Sequence, residues 1–142
     1  MKFTLLVFLL SFTCSVYGQA DTKFSSFYYH KKDFFESMPN DTNEIVFLGN
    51  SITDFCEWSE MFRDLRIKNR GISGDITEGV LYRLQEVTDS KPLKVFIMIG
   101  INDLSKNIPN TQILFNYEDI IKIMELDILF GAMILLSALK EV

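Results

Sequence analysis

Three short apolar runs, each stopping at a glycine-bearing loop, constrain this chain more than any other feature. Residues 44–48 read Glu-Ile-Val-Phe-Leu and stop at Gly49. Residues 67–70 form a weaker run before Gly71, and residues 93–99 a stronger one before Gly100. Runs of this length, rich in β-branched residues and closed by glycine, are expected as strands. Between the second and third, Ile76, Val80, Leu81, Leu84 and Val87 recur at helical spacing. Asp75 stands where it can cap that helix, and Pro92 marks the restart after it. A second helix is expected over 111–124, where Ile113, Leu114, Tyr117, Ile120, Ile121 and Met124 share one broad face. An amphipathic helix is expected over 24–38, carrying Phe27, Phe34 and Phe35 and ended by the turn residues Pro39-Asn40-Asp41. Strands that alternate with helices predict an α/β fold with a parallel sheet. Ligands of such sheets bind beyond the carboxyl ends of the strands. The three loops are therefore expected to converge on one edge.

Composition narrows the function classes. The 142 residues allow one domain, and 48% hydrophobic with 23% charged residues is a globular balance. A formal net charge of −5 gives no basic face, which argues against nucleic acid as a partner. Residues 1–18 read as a secretory signal peptide: Lys2 is followed by an apolar stretch and then by small residues around Gly18. That stretch is too short for an ordinary membrane span of about 20 residues. The chain is therefore expected to be secreted or periplasmic, with no stable membrane span. Removal of Cys14 with the signal would leave Cys56 alone, read as a small buried hydrophobe. Asn40-Asp41-Thr42 is a formal glycosylation acceptor.

The chemistry-bearing residues lie in the three loops. Ser51, in Gly49-Asn50-Ser51-Ile52-Thr53, follows the first strand at a strand-to-helix turn, where a serine is exposed and its own N–H can help hold an oxyanion. The bland reading is that Ser51 caps a helix. A phosphate-binding loop is a lesser alternative, because the lysine and glycine spacing of such loops are absent. In Asn69-Arg70-Gly71-Ile72-Ser73-Gly74-Asp75, Gly74 permits close backbone approach, so its N–H can face a substrate oxygen; an ordinary glycine-rich turn is the alternative. In Gly100-Ile101-Asn102-Asp103, the Asn102 amide can serve as a further oxyanion donor, or simply form an Asx turn.

Taken together, the three blocks resemble the SGNH/GDSL hydrolases in order, loop position and spacing, over about residues 24–124. The likeness is to secreted esterases of the platelet-activating-factor acetylhydrolase-like and sialate O-acetylesterase-like kinds. Asn50 stands where that family usually has Asp. The resemblance implies a flavodoxin-like three-layer sandwich and an acyl-serine mechanism on a small-molecule ester. It makes Ser51 the nucleophile and the Ser51 N–H, Gly74 N–H and Asn102 side chain the oxyanion hole. It implies no metal and no organic cofactor. Oligomeric state is not implied.

One part of the family pattern is missing. The general base should sit in an Asp-x-x-His block, and the 142 residues contain none. The chain's one histidine, His30, falls in the first expected helix, where a solvated helix-face residue is the plain reading and a base the alternative. Residues 125–142 depart from the pattern as an apolar tail, so a C-terminally truncated or frame-disrupted product with an incomplete sheet is expected. Impaired esterase, non-catalytic acyl-sugar or lipid-binding module, and non-functional fragment are the three competing readings.

Overall fold

The computed structural model describes residues 23–124. The expected signal peptide and the apolar tail lie outside the described residues. The first helix, α1, spans Ser26–Glu36, capped by the Ser25 hydroxyl, which accepts from the Tyr28 N–H. Strand β1 is Ile45–Gly49. Two short helices follow, α2 (Ser51–Asp54) and α3 (Trp58–Phe62). Strand β2 is Ile67–Gly71. Helices α4 (Thr77–Tyr82) and α5 (Leu84–Asp89) lead to strand β3, Lys94–Met98. Short α6 (Ile101–Ser105) and long α7 (Asn110–Met124) complete the described chain.

The strands lie in the order β2-β1-β3, and both pairings are parallel. This is the start of the flavodoxin-like order 2-1-3-4-5. Register puts Gly49 opposite both Gly71 and Met98, so the three loops leave the same edge side by side. The alternation along each strand separates two faces. Val46, Leu48, Val95 and Ile97 point into one core with Val80, Leu84 and Val87 of the α4–α5 segment and Ile113, Ile120 and Met124 of α7. On the other face Phe47 stacks on Trp58 of α3 (centroids 4.4 Å) and on Phe96 (4.9 Å). Helices on both faces make three layers, as expected. Among the described residues the Phe47 side is only partly covered. An apolar groove of about 630 Å³ runs there between α3 and the strands, lined by Phe47, Trp58, Phe62 and Phe96.

Two expectations need correction. The helix over 76–87 is broken at Arg83 into α4 and α5. Its apolar spacing was right, since Val80, Leu84 and Val87 are all buried, but Arg83 lies among them and is itself buried. Nor does the Asp75 side chain cap α4. Its Oδ1 accepts from the Ile76 N–H and its Oδ2 faces Arg83, while the Thr77 N–H is taken by the Asp103 carboxylate from α6 (3.0 and 3.1 Å). A charge from across the core does the work of a local cap.

The two faces should respond differently to truncation. Ile97→Ala, in the closed core, should cost about 2–5 kcal/mol, and Phe96→Ala, on the open face, under about 2 kcal/mol. Urea unfolding of the two variants measures the difference, and equal losses would contradict the assignment of faces.

Candidate active site

The first loop is shaped by Asn50. This buried residue caps α2, its Oδ1 accepting from the Ile52 N–H at 3.0 Å. The cap is therefore Asn50, not Ser51. Ser51 is the first residue of α2 and half-buried, set at the helix start directly beyond β1. Four residues cannot hold a helix by themselves. The far end of α2 is held from β2: the Asn69 Nδ2 lies 2.9, 3.1 and 3.0 Å from the Thr53, Asp54 and Cys56 carbonyl oxygens. The Asn69 Oδ1 accepts from the Gly71 N–H, which fixes the amide's orientation. Gly71 has to be glycine, because a Cβ there would run into the Asp54 backbone. Cys56, expected to be buried, is a free, half-buried residue of the turn after α2.

The second loop is tied to the first by backbone and by charge. The Ile72 N–H donates to the Gly49 carbonyl (3.0 Å), extending β2 past its end. The Asp54 carboxylate takes the Ser73 N–H on one oxygen (3.2 Å) and the Lys31 ammonium on the other (2.7 Å). Gly74 follows with φ +80°, in the left-handed region that favours glycine, and it is exposed. Beneath the loop, Arg83 and Asp75 form a buried ion pair, with the Arg83 Nη2 2.9 Å from the Asp75 Oδ2 and 3.2 Å from the Gly49 carbonyl. Burial pushes the Asp75 carboxyl above its usual range, against the opposing pull of Arg83.

The third loop joins the second through Asn102. Its Nδ2 donates to the Asp75 carbonyl at 2.8 Å. An amide nitrogen carries two hydrogens, so this bond holds the side chain against the Gly74 loop and leaves a second N–H. Asp103, fully buried, accepts from both the Thr77 N–H and the Thr77 hydroxyl (2.5 Å). The same hydroxyl accepts from the Asn116 Nδ2 (2.8 Å). Tyr117 donates to the Ile99 carbonyl at 2.7 Å, just before Gly100. Its phenol is pushed up to about 12, chiefly by burial.

Ser51, Gly74 and Asn102 thus stand on three loops that are hydrogen-bonded one to the next along the carboxyl edge. His30 is elsewhere, exposed on α1. The residues that fasten the loops, Asn69, Asp54, Arg83 and Asp103, were not singled out from the sequence. Arg83 had a signal: it stands seven residues after Ile76 and three after Val80, on the apolar stripe of a helix.

The family model for GDSL-like lipases and acylhydrolases matches residues 47–132, more than half of the chain and all three loops. The chain belongs to this family. Its GDSL-type domain is 40% identical over 68 residues to the platelet-activating factor acetylhydrolase IB subunit alpha1 of Rattus norvegicus, a match covering 44% of this chain and 29% of that protein. Among solved structures, this GDSL-type chain is similar to a protein of Streptococcus pneumonia named for platelet activating factor. The two are 29% identical with a TM-score of 0.57, covering 68% of this chain and 47% of that one. It is also similar to AlinE4, an SGNH-hydrolase family esterase, at 25% identity and a TM-score of 0.55, covering 66% of this chain and 60% of that one. The chain thus spans less than a third of the curated relatives it matches.

Two outcomes follow for the GDSL-type frame. Arg83→Met leaves the Asp75 carboxylate buried without its partner and should cost about 3–5 kcal/mol. Asp75→Leu added to it should restore much of that loss, as read from urea unfolding of both variants. Tyr117 sets an alkaline limit. Its folded pKa lies above the unfolded value of about 10, so its contribution is fully present below pH 10 and is lost as pH rises through about 12. Melting curves from pH 9 to 12 should show wild type losing stability faster than Tyr117→Phe, and parallel curves would contradict this.

Proposed function

We propose that this chain is a serine ester hydrolase of the SGNH type, acting on small acyl esters such as O-acetylated carbohydrates or lipids. The observation that supports this most is the tie between the loops: Gly49 carbonyl to Ile72 N–H, and Asp75 carbonyl to Asn102 side chain. Those bonds keep a nucleophile candidate and oxyanion-donor candidates in one fixed frame. In the proposed reaction the Ser51 Oγ attacks the ester carbonyl. The N–H groups of Ser51 and Gly74 and the Asn102 amide hold the negative oxygen that forms. The alcohol leaves with a proton, and water then cleaves the acyl-serine to release the acid and regenerate Ser51.

Turnover by these 142 residues is proposed to be slow. A serine without a general base is a weak nucleophile near neutral pH. The residues contain no Asp-x-x-His sequence, and His30 is exposed on α1. The second reading is a module that binds an acylated sugar or lipid without cleaving it. Hydrolysis of p-nitrophenyl acetate separates the two. Wild type should release p-nitrophenol faster than Ser51→Ala, because only the serine can carry the acyl intermediate. Ser51→Ala should keep only what the oxyanion donors and binding supply. Equal rates for the two proteins would sink the hydrolase reading and favour the binding module.

A further inference from the structure

The inward stripe of α1 contains a lysine. Tyr28 and Phe35 are the buried residues of that helix, and Lys31 stands between them at the i, i+3, i+7 spacing of one face. Tyr28 fastens one end of the helix, its hydroxyl donating to the Gly79 carbonyl of α4 at 2.6 Å. Phe35 fastens the other end, clustered with Ile72 of the second loop. Three cations lie within about 6 Å of the Phe35 ring centre, the reach of a cation–π attraction. They are Arg70 at 5.0 Å, Lys31 at 5.1 Å and Arg83 at 5.9 Å. Each pairs with a carboxylate on a different element: Arg70 with Glu86 of α5, Arg83 with Asp75 of the second loop, and Lys31 with Asp54 of α2. Of the three pairs, only the last ends on the helix that carries Ser51. The next residue, Lys32, pairs instead with Glu36 of its own helix.

We propose that Lys31 is a positioning residue for the Ser51–Gly74 pair, acting through Asp54. The inference deepens the ester-hydrolase reading and rests on it. Asp54 closes α2, three residues after Ser51, and its carboxylate accepts from the N–H of Ser73, the residue before Gly74. One side chain therefore spans from the helix of the nucleophile to the loop of an oxyanion donor. That side chain is only 8% exposed, and its bond from Ser73, at 3.2 Å, is long for an ionised acceptor. A carboxylate so desolvated needs a countercharge. Lys31 supplies it on the other oxygen, at 2.7 Å. Without the ammonium, Asp54 would keep one weak bond against the cost of burial, and its carboxylate would turn to water and release the Ser73 N–H. The bond from the Ile72 N–H to the Gly49 carbonyl would remain, so the second loop would stay attached but lose its fixed place at Gly74. Lys31 touches no reacting atom in this scheme; it sets the spacing between groups that do.

The full chain is compared with Lys31→Met, Lys31→Arg and Lys32→Met by two readouts. One is amide hydrogen exchange at Ser73 and Gly74, which needs no turnover. The other is the Ser51-dependent rate on p-nitrophenyl acetate, taken as the part lost in Ser51→Ala. Lys31→Met keeps the aliphatic stem and removes the charge. It should speed exchange at Ser73 about tenfold, the scale of one lost hydrogen bond. Its Ser51-dependent rate should fall about tenfold or more, since a misplacement of about 1 Å costs on the order of 10²-fold. Lys31→Arg should restore both readouts. Lys32→Met removes an equal charge from the neighbouring residue and should change neither. Should Lys31→Met fail to fold, Lys31→Gln takes its place. Unchanged exchange at Ser73, equal effects of Lys31→Met and Lys32→Met, or faster exchange with an undiminished Ser51-dependent rate would each overturn the proposal. If wild type has no Ser51-dependent rate while Lys31 still governs exchange at Ser73, the hydrolase reading falls and the tie from Lys31 to the Gly74 loop stands.

Discussion

The Gly49 carbonyl is the point at which the carboxyl edge of the sheet is held together. It accepts from the Ile72 N–H and from the Arg83 guanidinium, so one oxygen joins the first loop, the second loop and the break between α4 and α5. Arg83 can occupy this buried position only because Asp75 answers its charge. The backbone of Asp75 then receives Asn102, which brings in the third loop. Backbone, ion pair and amide form one chain of dependence from β1 to α6. Loss of the charge pair would therefore be felt at Ser51, Gly74 and Asn102 together.

The sheet was legible because β1 and β3 are dominated by core-facing β-branched residues. Val46, Val95 and Ile97 carry the period-2 signal of a strand packed on helices. β2 was fainter for a physical reason. Its middle residues, Lys68, Asn69 and Arg70, are polar, yet each has a partner: Lys68 donates to the Leu65 carbonyl, Asn69 holds the carbonyls at the end of α2, and Arg70 pairs with Glu86 at 2.5 Å in the core. A strand that spends its side chains on neighbours does not advertise itself by hydrophobicity.

The candidate site was legible in part. Ser51, Gly74 and Asn102 stand on local sequences whose glycine and asparagine announce turns. The fasteners between those loops did not announce themselves. Asp103 meets Thr77 across 26 residues, and Asn116 meets the same threonine across 39. Pairings of that kind arise from the topology of the sheet, and no local pattern encodes them. The cap of α4 was misread for the same reason, since Asp75 was the nearby carboxylate and Asp103 the effective one.

The brevity of α2 has a further meaning for how this edge comes into being. A helix of four residues has no independent existence, and its C-terminal carbonyls are gathered by an amide that arrives with β2. The segment carrying Ser51 therefore cannot take its shape while the chain is only as long as β1. It must wait for the strand that follows it. The Ser51 turn thus forms no earlier than β2 and, by the same bonds, loosens when β2 slips.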